Sequence, residues 1–340
     1  MTESSGFEQT VRRWHVAVVV PAFRVENHIE DVLRSIPAWV RTIIVVDDGS
    51  PDHTGGLARG VGEKDSRITV IAHPQNQGVG GSMKTGYQAA LEKGADIVVK
   101  MDGDDQMDPS ALPHLIWPLL KGEADYAKGN RFWDLSALRI MPLTRRLGNT
   151  ALSFMCKLVT GYWTLMDPTN GYTAIHRAAL SRLPLNSVAS TYFFECSMLI
   201  NLNIIGAVTV DVPIKARYGV EPSSLSIRRV LLEFPPKLLL GYLRRFVVKK
   251  VLYDFALDVL YLVAGIPLLL FGSIFGIVKW VHFFRLGIPA PAGTIMLAAL
   301  PVILGFQLVL NAIIFDFMSV PTKPLSRLTS LPTDEGNPSA

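Results

Sequence analysis

The chain has 340 residues, 49% of them hydrophobic and only 18% charged, with a mean hydropathy of +0.30. Soluble proteins carry about 25% charged residues, so the composition excludes disorder and points away from a wholly soluble enzyme. Two cysteines without a CxxC pair exclude a disulfide scaffold and a thiolate zinc site, and the net charge of +4, which comes from residues 215–254, excludes a nucleic-acid-binding face.

The first fifteen residues are polar and mixed in charge, and no secretory signal is expected there. From 16 to 214, short β-branched runs alternate with helical patterns. Strands are expected at 16–20, Thr42–Asp47, Ile68–Ala72, 96–101 and 124–128, and helices near 28–35, 80–93 and 109–120. The alternation predicts an α/β fold, a mostly parallel sheet flanked by helices. Ligands of such sheets bind at the carboxyl ends of the strands.

The second strand ends in Asp47-Asp48-Gly49-Ser50-Pro51. Ser50 and Pro51 read as a helix N-cap and its first residue. The two carboxylates stand where a base imide or a ribose hydroxyl would donate to them, although a turn-forming Asp-Gly pair is equally consistent. Asn76-Gln77-Gly78-Val79-Gly80-Gly81 precedes a helix expected to start near Ser82, and it matches neither a P-loop nor a dinucleotide fingerprint. After the fourth strand, Asp102, Asp104 and Gln106 follow an i, i+2, i+4 spacing that would project three hard oxygen donors to one side of an extended segment. That donor set suits Mg²⁺ or Mn²⁺, with phosphates completing the shell. Asp108 before Pro109 marks another helix start. Arg131, the pair Arg145-Arg146 and Arg217 offer guanidinium forks for phosphate. Asp167-Pro168-Thr169-Asn170-Gly171-Tyr172 is a tight turn by composition, and turn chemistry and a site role both remain open for it.

Residues 215–254 carry a net charge of +6 on an apolar background. Pro235-Pro236 should divide this stretch into two amphipathic helices lying in a membrane interface, with the bases at the headgroups. Two uncharged runs follow, 259–278 and 294–315. At about 1.5 Å per residue each spans roughly 30 Å, the depth of a hydrocarbon core. The basic flank places the preceding domain in the cytoplasm, and two spans return the C-terminus to the same side. The expected layout is a catalytic domain over 1–214, basic juxtamembrane helices over 215–254, two transmembrane helices over 255–318 and a disordered tail over 319–340.

Val19-Val20-Pro21-Ala22-Phe23, Asp47-Asp48-Gly49-Ser50, Asp102-Gly103-Asp104-Asp105-Gln106, Gly129-Asn130-Arg131 and the 167–172 turn occur in that order. Together they resemble the family 2 glycosyltransferases with a GT-A fold, and within these the polyprenyl-phosphate group of dolichyl-phosphate mannose synthases and bactoprenol glucosyltransferases. The resemblance spans about residues 15–230. It implies a membrane-bound inverting enzyme that moves a sugar from a UDP- or GDP-sugar to polyprenyl phosphate. It implies that Pro21, Phe23, Asp47, Asp48 and Gly103 line the donor site, that Asp102, Asp104 and Gln106 face Mg²⁺ or Mn²⁺ and the diphosphate, and that Arg131 and Arg217 contact phosphate. Phe23-Arg24 replace the family's Tyr-Asn, and Ser223-Ser224-Leu225 replace its Ser-Lys-Leu. A phosphate monoester, with its second pKa near ~6, is already ionised and needs no general base. Two alternatives stay open. One is a sugar-hydroxyl acceptor with Glu195 as base, as in polysaccharide synthases, whose Gln-x-x-Arg-Trp motif is absent; the other is a non-catalytic membrane scaffold. A homo-oligomer up to a tetramer is compatible with two spans per chain.

Overall fold

The computed structural model describes residues 2–133, 143–215, 227–253 and 256–329. The chain forms two compact units, Met1–Tyr242 with Pro321–Ala340, and Leu243–Val320.

The first unit is built on a seven-stranded sheet of order β3-β2-β1-β4-β6-β5-β7. Its strands are β1 (Val16–Ala22), β2 (Thr42–Asp47), β3 (Ile68–Ala72), β4 (Ile97–Lys100), β5 (Tyr126–Asn130), β6 (Thr173–His176) and β7 (Thr209–Pro213). Strands β1, β2 and β4 are buried at nearly every position, as near-continuous Val/Ile runs require when helices cover both faces. On one face α2 (Ile29–Ser35), α3 (Thr54–Gly62) and α5 (Leu112–Leu120) share a core with alternate residues of these strands, among them Val18, Val20, Ile43 and Val45. Helix α4 (Val79–Glu92) packs against β1 and β2 on the other face, which buries Met83, Tyr87 and Ala90. An N-terminal α1 (Thr2–Val11) is also present, and Phe7 packs edge-on against Trp39.

The five expected strands form within two residues of their expected ends. β6 and β7 were not among them: β6 runs antiparallel between β4 and β5, so the sheet is mixed at that side. The helix expected at Ser50-Pro51 starts instead at Thr54, because Ser50 Oγ accepts from the Arg24 amide (3.3 Å) and Asp52 Oδ1 accepts from the Thr54 amide (3.1 Å). Asp108 does cap its helix, accepting from the Ser110 amide at 3.0 Å. Helix α6 (Leu143–Thr160) packs on α8 (Phe194–Ile204), and the buried thiols of Cys156 and Cys196 meet there at 2.8 Å. A short α7 (Arg177–Leu180) follows β6.

Helix α9 (Ile227–Arg245) runs unbroken through Pro235 and Pro236, contrary to the expected division. Packing overrides the two missing amide donors: Phe234 stacks edge-on against Phe193, and Leu238 is buried with Ile200 in the same cluster. Of the tail expected to be disordered, residues 319–329 are described. Helix α12 (Leu325–Thr329) belongs to the first unit because the buried Asp125 accepts from the amides of Leu325 (2.9 Å) and Ser326 (3.0 Å) and from that of Val208 (2.9 Å).

The second unit is a hairpin of α10 (Leu257–Leu286) and α11 (Ala292–Met318), both long and apolar enough to cross a membrane. The helices approach closely where they meet without side chains: a Cβ on Gly305 would lie 2.6 Å from the Leu269 amide nitrogen. A π-helical segment, Phe246–Tyr253, precedes the hairpin. The sequence placed every base of this stretch at the headgroups, and three are not there. Arg245, Lys249 and Lys250 are buried; Arg245 grips Asp316 in a fork (2.9 and 3.0 Å), and Lys250 pairs with Asp258 at 2.6 Å. Cations entering an apolar segment have to be paired, and these pairs join the base of both long helices.

Candidate active site at the carboxyl edge of the sheet

Strands β1, β2 and β4 are parallel, so Pro21, Asp47 and the 101–108 turn emerge at one edge. β6 is antiparallel, so its amino end, and with it the 167–172 turn, arrives at the same edge. Arg131 follows β5 there as well.

Phe23 is 39% exposed at the end of β1, and the Arg24 guanidinium lies 5.2 Å from its ring centroid. Arg24 has φ +57°, a left-handed conformation that Asn adopts far more readily than Arg. Pro21 comes against Gly103, where a Cβ would lie 3.5 Å from the Pro21 carbonyl oxygen. Asp47 and Asp48 brace loops. Asp47 Oδ1 accepts from the Ser50 amide at 3.1 Å. Asp48 accepts from the amides of Gln77 (2.9 Å) and Gly78 (2.8 Å) and meets His73 Nδ1 at 2.7 Å, while His73 Nε2 lies 2.9 Å from Thr85 Oγ1. Asp48 therefore orders the glycine loop, and Gly78, at φ +84°, caps α4, which starts at Val79, ahead of both Gly80 and Ser82.

The 101–108 segment is a turn and not the extended run that the spacing of Asp102, Asp104 and Gln106 assumed. Asp105 takes φ +59°, and Gln106 enters through its amide, which donates to Asp104 Oδ1 at 3.2 Å; its side chain is exposed. Asp102 and Asp104 stay together. Burial, and next the Asp102 carboxylate, raise Asp104 above the ordinary carboxylate range. Among the described residues no group of three His, Cys, Asp or Glu is arranged to hold a metal ion. Two neighbouring carboxylates at the sheet edge fit a divalent cation that takes its remaining oxygens from substrate phosphates.

Arg131, expected on phosphate, grips Asp167: Nε donates to Oδ2 at 2.8 Å and Nη2 to Oδ1 at 3.2 Å. The Asp167 side chain is fully buried. Arg217 lies outside the described residues, as do Ser223 and Ser224, and nothing is described of the side chains of Arg145 and Arg146.

Sequence reasoning missed two lysines beneath this edge. Lys100 and Lys128 are buried in β4 and β5; Lys100 Nζ reaches Asp102 Oδ1 at 2.6 Å and Glu195 Oε1 at 3.8 Å. The available signal was a lysine closing the apolar run of β4; β5 is not an apolar run, and nothing local marked Lys128.

Residues 17–183 match the model of glycosyl transferase family 2. The chain is 31% identical over 217 residues to a UDP-N-acetylglucosamine–dolichyl-phosphate N-acetylglucosaminyltransferase of Methanococcus voltae, a match covering 60% of this chain and 86% of that one. It is 31% identical over 173 residues to an undecaprenyl-phosphate mannosyltransferase of Micrococcus luteus, covering 51% and 70%. Its fold is similar to that of glucosyl-3-phosphoglycerate synthase from Mycobacterium tuberculosis, with a TM-score of 0.53 at 24% identity over 71% of this chain and 82% of that one. With the parallel strands, the Asp102–Asp104 turn and relatives matched over most of their own length, the chain belongs to glycosyltransferase family 2.

Proposed function

We propose that the chain transfers a sugar from a nucleotide-sugar donor to a polyprenyl phosphate at the cytoplasmic face of a cell membrane, inverting the anomeric centre. The observation that carries the reading is the Asp102–Asp104 pair at the sheet edge, electrostatically suited to a metal-bound diphosphate, in a chain that also has two membrane-length helices. Relatives that by name act on dolichyl and undecaprenyl phosphates support the acceptor class.

Asp102 and Asp104 would hold the Mg²⁺ or Mn²⁺. Bound there, the cation supplies positive charge to the departing nucleoside diphosphate. Phe23 offers an exposed aromatic face to the base of the donor. Asp48 fixes the glycine loop. The acceptor phosphate arrives ionised, so no residue has to take a proton from it. Two crossings by α10 and α11 return the chain to the side it left, in keeping with Pro321–Ala340 belonging to the unit that contains the site.

The test uses membranes expressing the full chain, labelled UDP- and GDP-sugars, and added polyprenyl phosphate. Label should enter the chloroform phase as an acid-labile product, disappear with EDTA and return with Mg²⁺ or Mn²⁺. Asp104→Asn should lower turnover by roughly 10²-fold or more, the usual cost of removing one charge-stabilising group. Acid-stable product, or full activity of Asp104→Asn in EDTA, refutes the reading.

A further inference from the structure

Lys100 and Lys128 both pair in register with Thr173, so β4, β6 and β5 place them in one row across the sheet. Side chains in such a row leave the same face of the sheet, and both lysines are essentially inaccessible, at 1% and 0% exposure. Two buried cations on one face need counter-charges, and they are served unequally. Lys100 has Asp102 at 2.6 Å and Glu195 at 3.8 Å. Lys128 donates to the carbonyl oxygen of Asn170, a neutral group, and Glu195 is the foremost carboxylate acting on it. Glu195, in the first turn of α8, lies 3.8 Å from Lys100 and its charge also acts on Lys128, with burial outweighing both cations and raising its carboxyl.

The row bears directly on the donor site. A Cβ on Gly171 would lie 2.6 Å from Lys100 Nζ and 3.0 Å from Asp102 Oδ2, so the 167–172 turn rests on the Lys100–Asp102 pair. The Lys128 bond to Asn170 holds the same turn from the neighbouring strand. We propose that Glu195 is a positioning residue: its carboxylate is the shared counter-ion of Lys100 and Lys128, and through them it fixes Asp102 and the 167–172 turn. The proposal rests on the reading of Asp102 as part of the donor site, and it assigns Glu195 no proton transfer.

The test compares Glu195→Gln, Lys128→Met and the double variant in the full-length, detergent-solubilised chain. Glu195→Gln removes the carboxylate common to both lysines; adding Lys128→Met removes one of the two cations. Glu195→Gln should lower Tm, and should weaken Mn²⁺-dependent binding of UDP or GDP, and raise donor KM, on the order of tenfold, with acceptor KM within about twofold. The double variant should recover most of both losses. A Glu195→Gln enzyme with intact nucleotide affinity and Tm but collapsed kcat, unrescued by Lys128→Met, makes Glu195 a base and overturns the proposal. Wild-type protein that binds neither nucleotide with Mn²⁺ overturns the functional reading instead. The Tm pattern then still decides the counter-ion assignment, since recovery in the double variant supports it and additive losses overturn it.

Discussion

Arg131→Ala should cost the protein more in stability than in substrate affinity. Asp167 is fully buried and takes two of its hydrogen bonds from the Arg131 guanidinium, at 2.8 and 3.2 Å. Removing one partner of a buried ion pair costs about 3–5 kcal/mol, because the other charge stays behind unpaired. The Arg131 side chain is 38% exposed, so water screens the pair and can partly replace it. A discounted figure of roughly 2 kcal/mol is appropriate. In a unit of this size each kcal/mol moves Tm by about 2–4 °C, so a fall of roughly 4–8 °C is expected. Thermal unfolding of the purified chain measures it, with donor and acceptor KM determined in parallel. Adding Asp167→Asn to Arg131→Ala should return part of the loss, since the stranded charge is then removed as well. A Tm within about 1 °C of wild type, together with a loss of kcat of roughly 10²-fold, would place the guanidinium on substrate and refute the bracing role.

Burial, opposed chiefly by the Met166 amide and Lys128, pushes Asp211 up to about 6. A carboxyl raised above its unfolded value favours the protonated fold, so this contribution is complete below about pH 4 and is lost as pH rises through about 6. The loss is at most roughly 3 kcal/mol, and Asp211→Asn should flatten stability between about pH 4 and 7 and raise Tm at neutral pH; an unchanged pH dependence of unfolding refutes it. Asp125→Ala strands three amide donors, those of Val208, Leu325 and Ser326, and should release the segment after α11. Limited trypsin digestion read by mass spectrometry should then show cleavage at Arg327 well before wild type, and equal cleavage rates refute the anchor.

What could be read from the chain follows from how local the signals are. Strands β1, β2 and β4 were legible because each is a buried β-branched run with a turn at its end, and the two long helices because a long uncharged run fills each. β6, only Thr173–His176, carries too few residues for a period, and pairing on both sides makes it a strand. The acidic motifs all fall at one edge of the sheet, but local spacing does not show which internal partners they hold. Asp48 and Arg131 were read as substrate contacts, and their partners, Gln77, Gly78 and Asp167, lie 29–36 residues away. The spacing of Asp102, Asp104 and Gln106 presumed an extended segment, and a left-handed Asp105 bends it. Pro235 and Pro236 show the converse, a strong local breaker overruled by the Phe193 and Ile200 packing that covers the helix.

The pairing of buried charges links these departures to the chemistry. Lys100, Arg245 and Lys250 are buried and each pairs with a carboxylate, Asp102, Asp316 and Asp258 in turn, while the buried Lys128 donates to the Asn170 carbonyl. Lys100 and Asp102 are two residues apart, whereas Arg245 and Asp316 are 71 apart, so most of these partners were invisible to a local reading. A carboxylate held in such a pair has to leave its partner before it can take a proton from a substrate. Asp48 is likewise occupied by two amides and a histidine. An acceptor hydroxyl would require one of these groups to be released from its partner. An acceptor that arrives as a phosphate anion requires only that the edge be rigid, and rigidity is what the internal ion pairs supply.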